Sequence, residues 1–292
     1  MIIDLSKEAN MSLEEALFIA KPHDTILLDK KVYYEKITLS TPNITIIGKE
    51  GSAISYCACS SHIIPTNLGG DGKKTFGTTG SATFRVLESA NNFHVKNVTF
   101  INSHKRDLEH GNQAVAFKSE IHNLLVENCR FISKQDTLYI DNGINNRVIN
   151  SYIEGDVDFI FGSADCIFYN CQIKGLKHHD PIYFTAPSTL IINDYGFVFK
   201  NCRFITENDK TYLGRPWYPG GAYQPPYPML TLIDCDIIGD IDMSLLKMHQ
   251  HDPDVYLLKY YNCKYNNDVV SNTSDIDNIC NYVNKVVEEY EA

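Results

Sequence analysis

Short apolar runs, each closed by Asn or Asp and often by Cys, recur along the chain. The closing tetrapeptides read Asn97-Val98-Thr99-Phe100, Asn128-Cys129-Arg130-Phe131, Asn150-Ser151-Tyr152-Ile153 and Asn170-Cys171-Gln172-Ile173. They continue as Asn201-Cys202-Arg203-Phe204, Asp234-Cys235-Asp236-Ile237 and Asn262-Cys263-Lys264-Tyr265. Their first positions, 97, 128, 150, 170, 201, 234 and 262, step by 31, 22, 20, 31, 33 and 28. A short step with variable additions marks a solenoid whose additional residues form loops. The runs Leu124-Leu125-Val126, Arg147-Val148-Ile149, Phe197-Val198-Phe199 and Tyr256-Leu257-Leu258 combine β-branched and aromatic residues without helical spacing, so each turn is β-rich. The expected fold is all-β: a right-handed parallel β-helix with short capping helices at its ends. Asn and Cys at one point of successive turns should stack inside or at a corner, the Asn amide bonding the bent backbone, as scaffold.

The ends read differently. Ser12-Leu13-Glu14-Glu15 is a capping-box signature before Ala16, Leu17 and Ile19, which predicts a short helix over about 12–20 that closes one end of the solenoid. Ile276, Ile279, Cys280, Val283, Val286, Val287 and Tyr290 recur at helical spacing after Ser274 and predict an amphipathic helix over about 274–290, packed back along the solenoid. Stretches rich in Pro, Trp217-Tyr218-Pro219 through Gln224-Pro225-Pro226-Tyr227-Pro228, read as exposed loops. No linker divides the chain, so residues 1–292 are expected to form one domain.

Composition narrows the partners. The net charge of -10 disfavours nucleic acid, which needs a basic surface, and suits a neutralised polymer better than a strongly anionic one. No apolar run approaches the roughly 18 residues of a membrane span. Met1-Ile2-Ile3-Asp4-Leu5-Ser6-Lys7 lacks the basic and apolar regions of a signal peptide. The nine cysteines fall mostly within strand-like runs and read as packed free thiols. Both observations predict a cytoplasmic protein; the alternative is a secreted one whose signal has been removed. No Cys-x-x-Cys pair points to structural zinc.

Polar residues interrupt the apolar pattern on three successive turns. Gln113 opens Gln113-Ala114-Val115-Ala116-Phe117, Gln135 and Asp136 open Gln135-Asp136-Thr137-Leu138-Tyr139, and Asp158 lies in Val157-Asp158-Phe159-Ile160-Phe161-Gly162. From 113 to 135 and from 136 to 158 the step is 22, the short repeat step. One turn of a parallel solenoid stacks such residues at about 4.8 Å. Two carboxylates that close do not ionise independently: one stays charged as base or nucleophile while the other is held protonated as an acid. Neutral amide donors beside them suit a developing oxyanion. In Tyr212-Leu213-Gly214-Arg215-Pro216-Trp217, Arg215 offers a planar fork for a carboxylate, and Trp217, the sole Trp, a flat face for a sugar ring.

At these residues the chain resembles the pectinesterases (pectin methylesterases). The matching segments are Gly80-Ser81-Ala82-Thr83-Phe84, the three runs just quoted and Leu213-Gly214-Arg215-Pro216-Trp217, with Tyr34-Glu35-Lys36-Ile37 and Asn43-Ile44-Thr45-Ile46-Ile47-Gly48 near the start. The likeness covers roughly residues 12–265. It implies that Asp158 is the nucleophile, Asp136 the general acid and then base, and Gln113 and Gln135 the oxyanion donors. It further implies that Arg215 bonds the nucleophile and that Trp217 stacks on substrate. Thr78, Tyr183 and Thr185 resemble substrate contacts of bacterial members, and Tyr139 and Phe161 would line the same cleft. The implied partner is methyl-esterified homogalacturonan or its oligomers, cleaved by a monomer at the C6 methyl ester without metal or organic cofactor. The chain departs from the family pattern in having no second Trp and in Lys259-Tyr260-Tyr261-Asn262, where an acidic residue is missing.

Other classes make different demands. A polygalacturonase or pectate lyase would use paired aspartates for glycoside hydrolysis or a carboxylate cluster for calcium, but two glutamines in register fit an oxyanion better. A non-catalytic carbohydrate-binding β-helix would have lost at least one member of the set. A thioester or other small-ester hydrolase differs only in substrate profile.

Overall fold

The structure is a computed structural model and describes residues 1–8, 10–106, 112–178, 180–219, 227–243 and 257–291. Among these residues the strands form three long sheets of ten, eight and ten strands, in which each strand pairs with its equivalents one coil before and one coil after. One coil runs Leu125–Glu127, Arg130–Ile132 and Leu138–Ile140 through the three sheets in turn, and the next begins at Asn146–Ile149. The pairing is parallel except for a closing antiparallel pair, Cys263–Tyr265 with Asp268–Val270. This is the expected right-handed parallel β-helix. Strand Leu257–Tyr261 takes up the run expected to begin at Tyr256, which itself lies outside the described residues.

The corners explain the Asn repeat. Asn97, Asn128, Asn150, Asn170, Asn201, Asp234 and Asn262 all have φ between 48° and 60°, the left-handed region that Asn and Asp tolerate best among residues with a Cβ. Two pairs of them bond side chain to side chain along the ladder: Asn170 Nδ2 donates to Asn150 Oδ1 at 2.6 Å and Asn262 Nδ2 to Asp234 Oδ1 at 2.5 Å. The following Cys turns inward, so Cys129, Cys171, Cys202, Cys235 and Cys263 are buried. All nine cysteines are free thiols, seven of them buried. A second ladder, not recognised in the sequence, runs through Asn43, Asn92, Asn123 and Asn145 at another corner, joined by amide bonds of 2.7–2.9 Å.

Inside, aromatic rings stack from coil to coil. Phe84 lies 5.8 Å from Phe117, and Phe100 lies 5.5 Å from Phe131, each pair nearly parallel. Such stacks add to the burial of each ring and fix the register of successive coils.

Helix Leu13–Ile19 starts at the predicted capping box, with Ser12 Oγ accepting from Glu15 N–H, and buries Leu13, Ala16 and Leu17 against the core. Glu35 also caps it, accepting from the Leu13 and Glu14 N–H groups. The second helix, Asp277–Glu291, packs back along the solenoid as its stripe predicts, rather than closing an end. It lies along the flank of the first sheet, with Val283 and Val286 against Ile167, Val198 and Ile233, and with Tyr282 stacked 4.5 Å from Tyr195. Its apolar stripe is wide enough to cover outward apolar residues of that sheet, a covering that an end cap would not give. The expectation of exposed Pro-rich loops needs correction. Pro219 is exposed, but Pro216 and Pro228 are buried: Pro216 precedes Trp217, which packs on the outer face of the second sheet, and Pro228 follows Tyr227, whose N–H donates to the Thr189 carbonyl; Gln224, Pro225 and Pro226 lie outside the described residues.

Candidate active site

The third corner of the solenoid carries the acidic pair. Asp136 and Asp158 have φ of 63° and 50°, so they turn the chain into the strands Leu138–Ile140 and Ile160–Gly162 of the second sheet. A strand-forming residue would resist that conformation, whereas Asp accepts it and projects a carboxylate. The register aligns Leu138 with Ile160 and Tyr139 with Phe161, and the Asp136 N–H donates to the Val157 carbonyl at 3.1 Å. The aspartates therefore occupy equivalent places on consecutive coils. Gln113 and Gln135 form a parallel bridge one coil earlier. The 22-residue steps thus bring all four residues onto one face.

Arg215 follows strand Thr211–Gly214, two coils beyond Asp158. Its Nε and Nη2 donate to the two carboxylate oxygens of Asp158 at 2.7 and 2.5 Å, a bidentate pair. Its guanidinium lies 4.1 Å from the Tyr183 ring centre, so Tyr183 supports the arginine from below.

The two carboxyls differ in environment. Burial pushes the Asp136 carboxyl well above the usual carboxylate range, and the nearby negative charge of Asp158 pushes it further, against a smaller opposing pull from Arg215. Asp158 is also raised by burial, but its hydrogen bonds and ion pair with Arg215 offset part of that rise. Arg215 therefore limits the shift of Asp158 without reversing it. The first proton to leave the pair belongs mainly to Asp158, and Asp136 keeps its own to higher pH.

Next to the acids lies an apolar bed on the outer face of the second sheet, formed by Ala82, Val115, Tyr139, Phe161 and Ala186 with Trp217 packed against it. Tyr139 and Phe161 stack at 4.1 Å, and Trp217 meets both edge-on at 5.8 and 5.4 Å. Thr78 sits in the short helical turn Gly77–Gly80, half-buried. Thr185 is fully buried and its hydroxyl donates to the Leu213 carbonyl at 2.8 Å; it braces the strand that leads to Arg215 and does not face the open side.

Several residues around the site carried no signal in the sequence. Ser60 Oγ donates to Gln113 Oε1 at 2.5 Å. Arg106 Nη2 donates to Gln135 Oε1 at 3.2 Å and to buried Asp156 Oδ1 at 3.0 Å, and its Nη1 contacts His178. With both carbonyl oxygens engaged, what each glutamine still offers the site is its amide N–H, a donor. Lys118 is buried beneath Tyr139, 3.9 Å from the ring centre, and bonds Thr79, Glu120 and Asp141. None of these residues stands at the repeat step of the four polar residues. An isolated Arg or Lys in a loop or strand gives no sequence clue that it will be buried.

Comparison with known proteins bears on the family and the fold. The pectinesterase family model matches residues 7–249. Pectinesterase A of Dickeya chrysanthemi is 32% identical over 230 residues, which cover 69% of this chain and 61% of that protein. A pectinesterase of Ralstonia solanacearum is 37% identical over 155 residues, 48% of this chain and 39% of its own. The chain thus matches less than two thirds of the length of these relatives. Among solved structures, pectin methylesterase PemA from Erwinia chrysanthemi superposes with a TM-score of 0.76 at 22% identity, over 96% of this chain and 94% of that one, and so shares the fold. A pectin methylesterase solved with a hexasaccharide gives the same score at 23% identity. Fold, motif order and the extent of the family match lead to one conclusion: this chain belongs to the pectinesterase family.

Proposed function

We propose that the protein is a carboxylic ester hydrolase that removes C6 methyl esters from homogalacturonan or its oligomers, acting as a monomer. The observation that carries this reading is the pair of unlike carboxyls at one corner: Asp158 held bidentately by Arg215, and Asp136 buried one coil earlier with its carboxyl pushed well above the usual range. A charged nucleophile beside a neutral acid is what acyl transfer from an ester requires. The neighbouring apolar and aromatic bed accepts a methyl ester more readily than a free carboxylate, whose burial without a partner is costly.

In this reading one Asp158 oxygen attacks the ester carbonyl carbon, and the amides of Gln113 and Gln135 donate to the resulting oxyanion. The intermediate collapses as the bond to the methoxy oxygen breaks, with Asp136 delivering its proton, so methanol leaves and an acyl anhydride joins substrate to Asp158. Asp136, now a carboxylate, takes a proton from water as that water attacks the acyl carbon. The bond to Asp158 breaks, releasing the uronic acid and restoring both aspartates. No step needs a metal or cofactor. Tyr183 acts through Arg215, while Tyr139, Phe161, Trp217 and Thr78 surround the sugar. Buried Thr185 is left a bracing role.

A polymer of this size is met outside the cell that makes the enzyme, and we place its action there rather than in the cytoplasm. The free thiols do not argue otherwise, because seven are buried and shielded from oxidants. The test is methanol release from highly methyl-esterified pectin, with chain length followed in parallel. Methanol with unchanged chain length supports the esterase reading; shortened chains or new unsaturated ends would replace it with a depolymerase.

The arginine behind Gln135 gives a second test. Arg106→Ala frees the Gln135 carbonyl and leaves Asp156 without its ion-pair partner. The expected result is a fall in kcat of about 10²-fold with KM little changed, and partial recovery in Arg106→Lys. An unchanged kcat in a folded Arg106→Ala protein would show that Gln135 needs no such support.

A further inference from the structure

Beside the catalytic face, but separate from it, Cys59, His62 and His104 bring one thiol and two imidazoles together, with their ligand atoms all within 4.8 Å of one another. We propose that these three side chains form a binding site for one zinc ion, which staples the loop carrying Ser60 to the end of the neighbouring coil. Cys59 and His62 lie three residues apart in a turn closed by the His62 N–H donating to the Cys59 carbonyl at 3.1 Å. His104 follows strand Thr99–Asn102, the parallel neighbour of strand Ala53–Tyr56 that leads into Cys59. The three ligands therefore come from two adjacent coils.

The scaffold under them is already set. Buried Asn102 accepts at Oδ1 from the Ala58 and His104 N–H groups, at 3.4 and 3.2 Å. Its Nδ2 donates to the carbonyls of Ala58, Ser81 and Val115 at 2.8–3.0 Å. One side chain thus fixes the residue before Cys59 and the backbone of His104 together. Cys59 and His104 are buried and His62 is half-buried, its ring edge-on to His104 at 5.0 Å.

A thiolate and two neutral imidazoles form a donor set that suits tetrahedral zinc. Zinc–sulfur and zinc–nitrogen bonds of about 2.3 and 2.0 Å place tetrahedral ligand atoms about 3.3–3.7 Å apart, so closure needs a shift of about 1 Å. His62, on the open side of the turn, is the ligand able to move. Its Nδ1 accepts a long 3.4 Å contact from the Cys59 N–H, which coordination through that nitrogen would replace. Water from the His62 side completes the fourth position. The Cys59 thiol gives up its proton to solvent as the metal binds.

Cobalt(II) titration of chelator-treated protein, followed by zinc displacement, tests the site. The expected result is one equivalent of cobalt with a thiolate-to-cobalt charge-transfer band and intense tetrahedral d–d absorption. Zinc should then abolish both and raise the Tm. His62→Ala, a change on the half-exposed side, should weaken binding by at least about 100-fold while the metal-free Tm stays near the parent value. Cys59→Ser should remove the charge-transfer band, and Cys57→Ser should leave it in place. No band in the parent, a band that survives Cys59→Ser, or unchanged affinity in His62→Ala would each overturn the assignment. These readouts are independent of catalysis and stand whether or not the esterase reading does.

Discussion

Asp158→Ala should reduce methanol release by at least roughly 10⁴-fold, measured as kcat on methyl-esterified pectin. The carboxylate is the atom group that forms the new bond, and no other described carboxylate shares its pairing with Arg215. The loss should therefore fall on kcat, with pectin affinity largely kept, because the apolar bed of Tyr139, Phe161 and Trp217 is untouched. The variant should fold: Asp158 is only partly enclosed, with 17% of its side chain exposed, and Arg215 can turn its charge toward solvent. Residual methanol release above a few per cent of the parent rate from folded Asp158→Ala would remove Asp158 from the role of nucleophile.

Asp136→Asn should lower kcat by about 10³-fold and at the same time make the protein more stable near neutral pH. The amide keeps the shape of the carboxyl but neither delivers a proton to methanol nor takes one from water. The stability gain follows from the raised pKa of Asp136. A carboxyl with a folded pKa above its unfolded value binds its proton more tightly in the native state. Native stability is therefore highest below the unfolded value and falls as pH rises from there toward the folded pKa. Asn removes that dependence, so the Tm advantage of Asp136→Asn should be near zero at about pH 3 and grow as the pH is raised to neutrality, to a few degrees. The parent's kcat should be bell-shaped in pH. It rises as Asp158 ionises and falls at higher pH as Asp136 loses the proton that methanol needs. Thermal melts and kcat profiles across pH on the same two proteins check both claims. A Tm advantage that shrinks with rising pH would contradict a buried, protonated Asp136.

Asn97, Asn128, Asn150 and their equivalents were legible because a left-handed corner repeated in every coil leaves a repeated residue type. The four polar residues at 113, 135, 136 and 158 were legible for the same reason, since a parallel solenoid converts equal sequence steps into adjacency. Ser60 and Arg106 were not legible: each reaches the glutamines from a separate loop, at a separation in sequence set by no repeat. The flank position of helix Asp277–Glu291 was also hidden in part. Its stripe declares an apolar face, but the partner, the outward residues Ile167, Val198 and Ile233, becomes one surface only after three coils have stacked. Cys59, His62 and His104 escaped because the metal-like spacing spans Cys59 and His62 alone, and His104 joins them through pairing of neighbouring strands.

Periodicity and residue type alone thus determined the β-helix, the position of the capping box and the catalytic candidates, because in a solenoid these depend on contacts one coil apart. The tertiary structure alone decided which carboxyl is raised further, which way the glutamine amides face, that Thr185 is buried, and which sheet residues the last helix covers. Each of these depends on burial or on a hydrogen bond between segments without a common period, and burial is a property of the assembled surface rather than of any residue's neighbours in sequence.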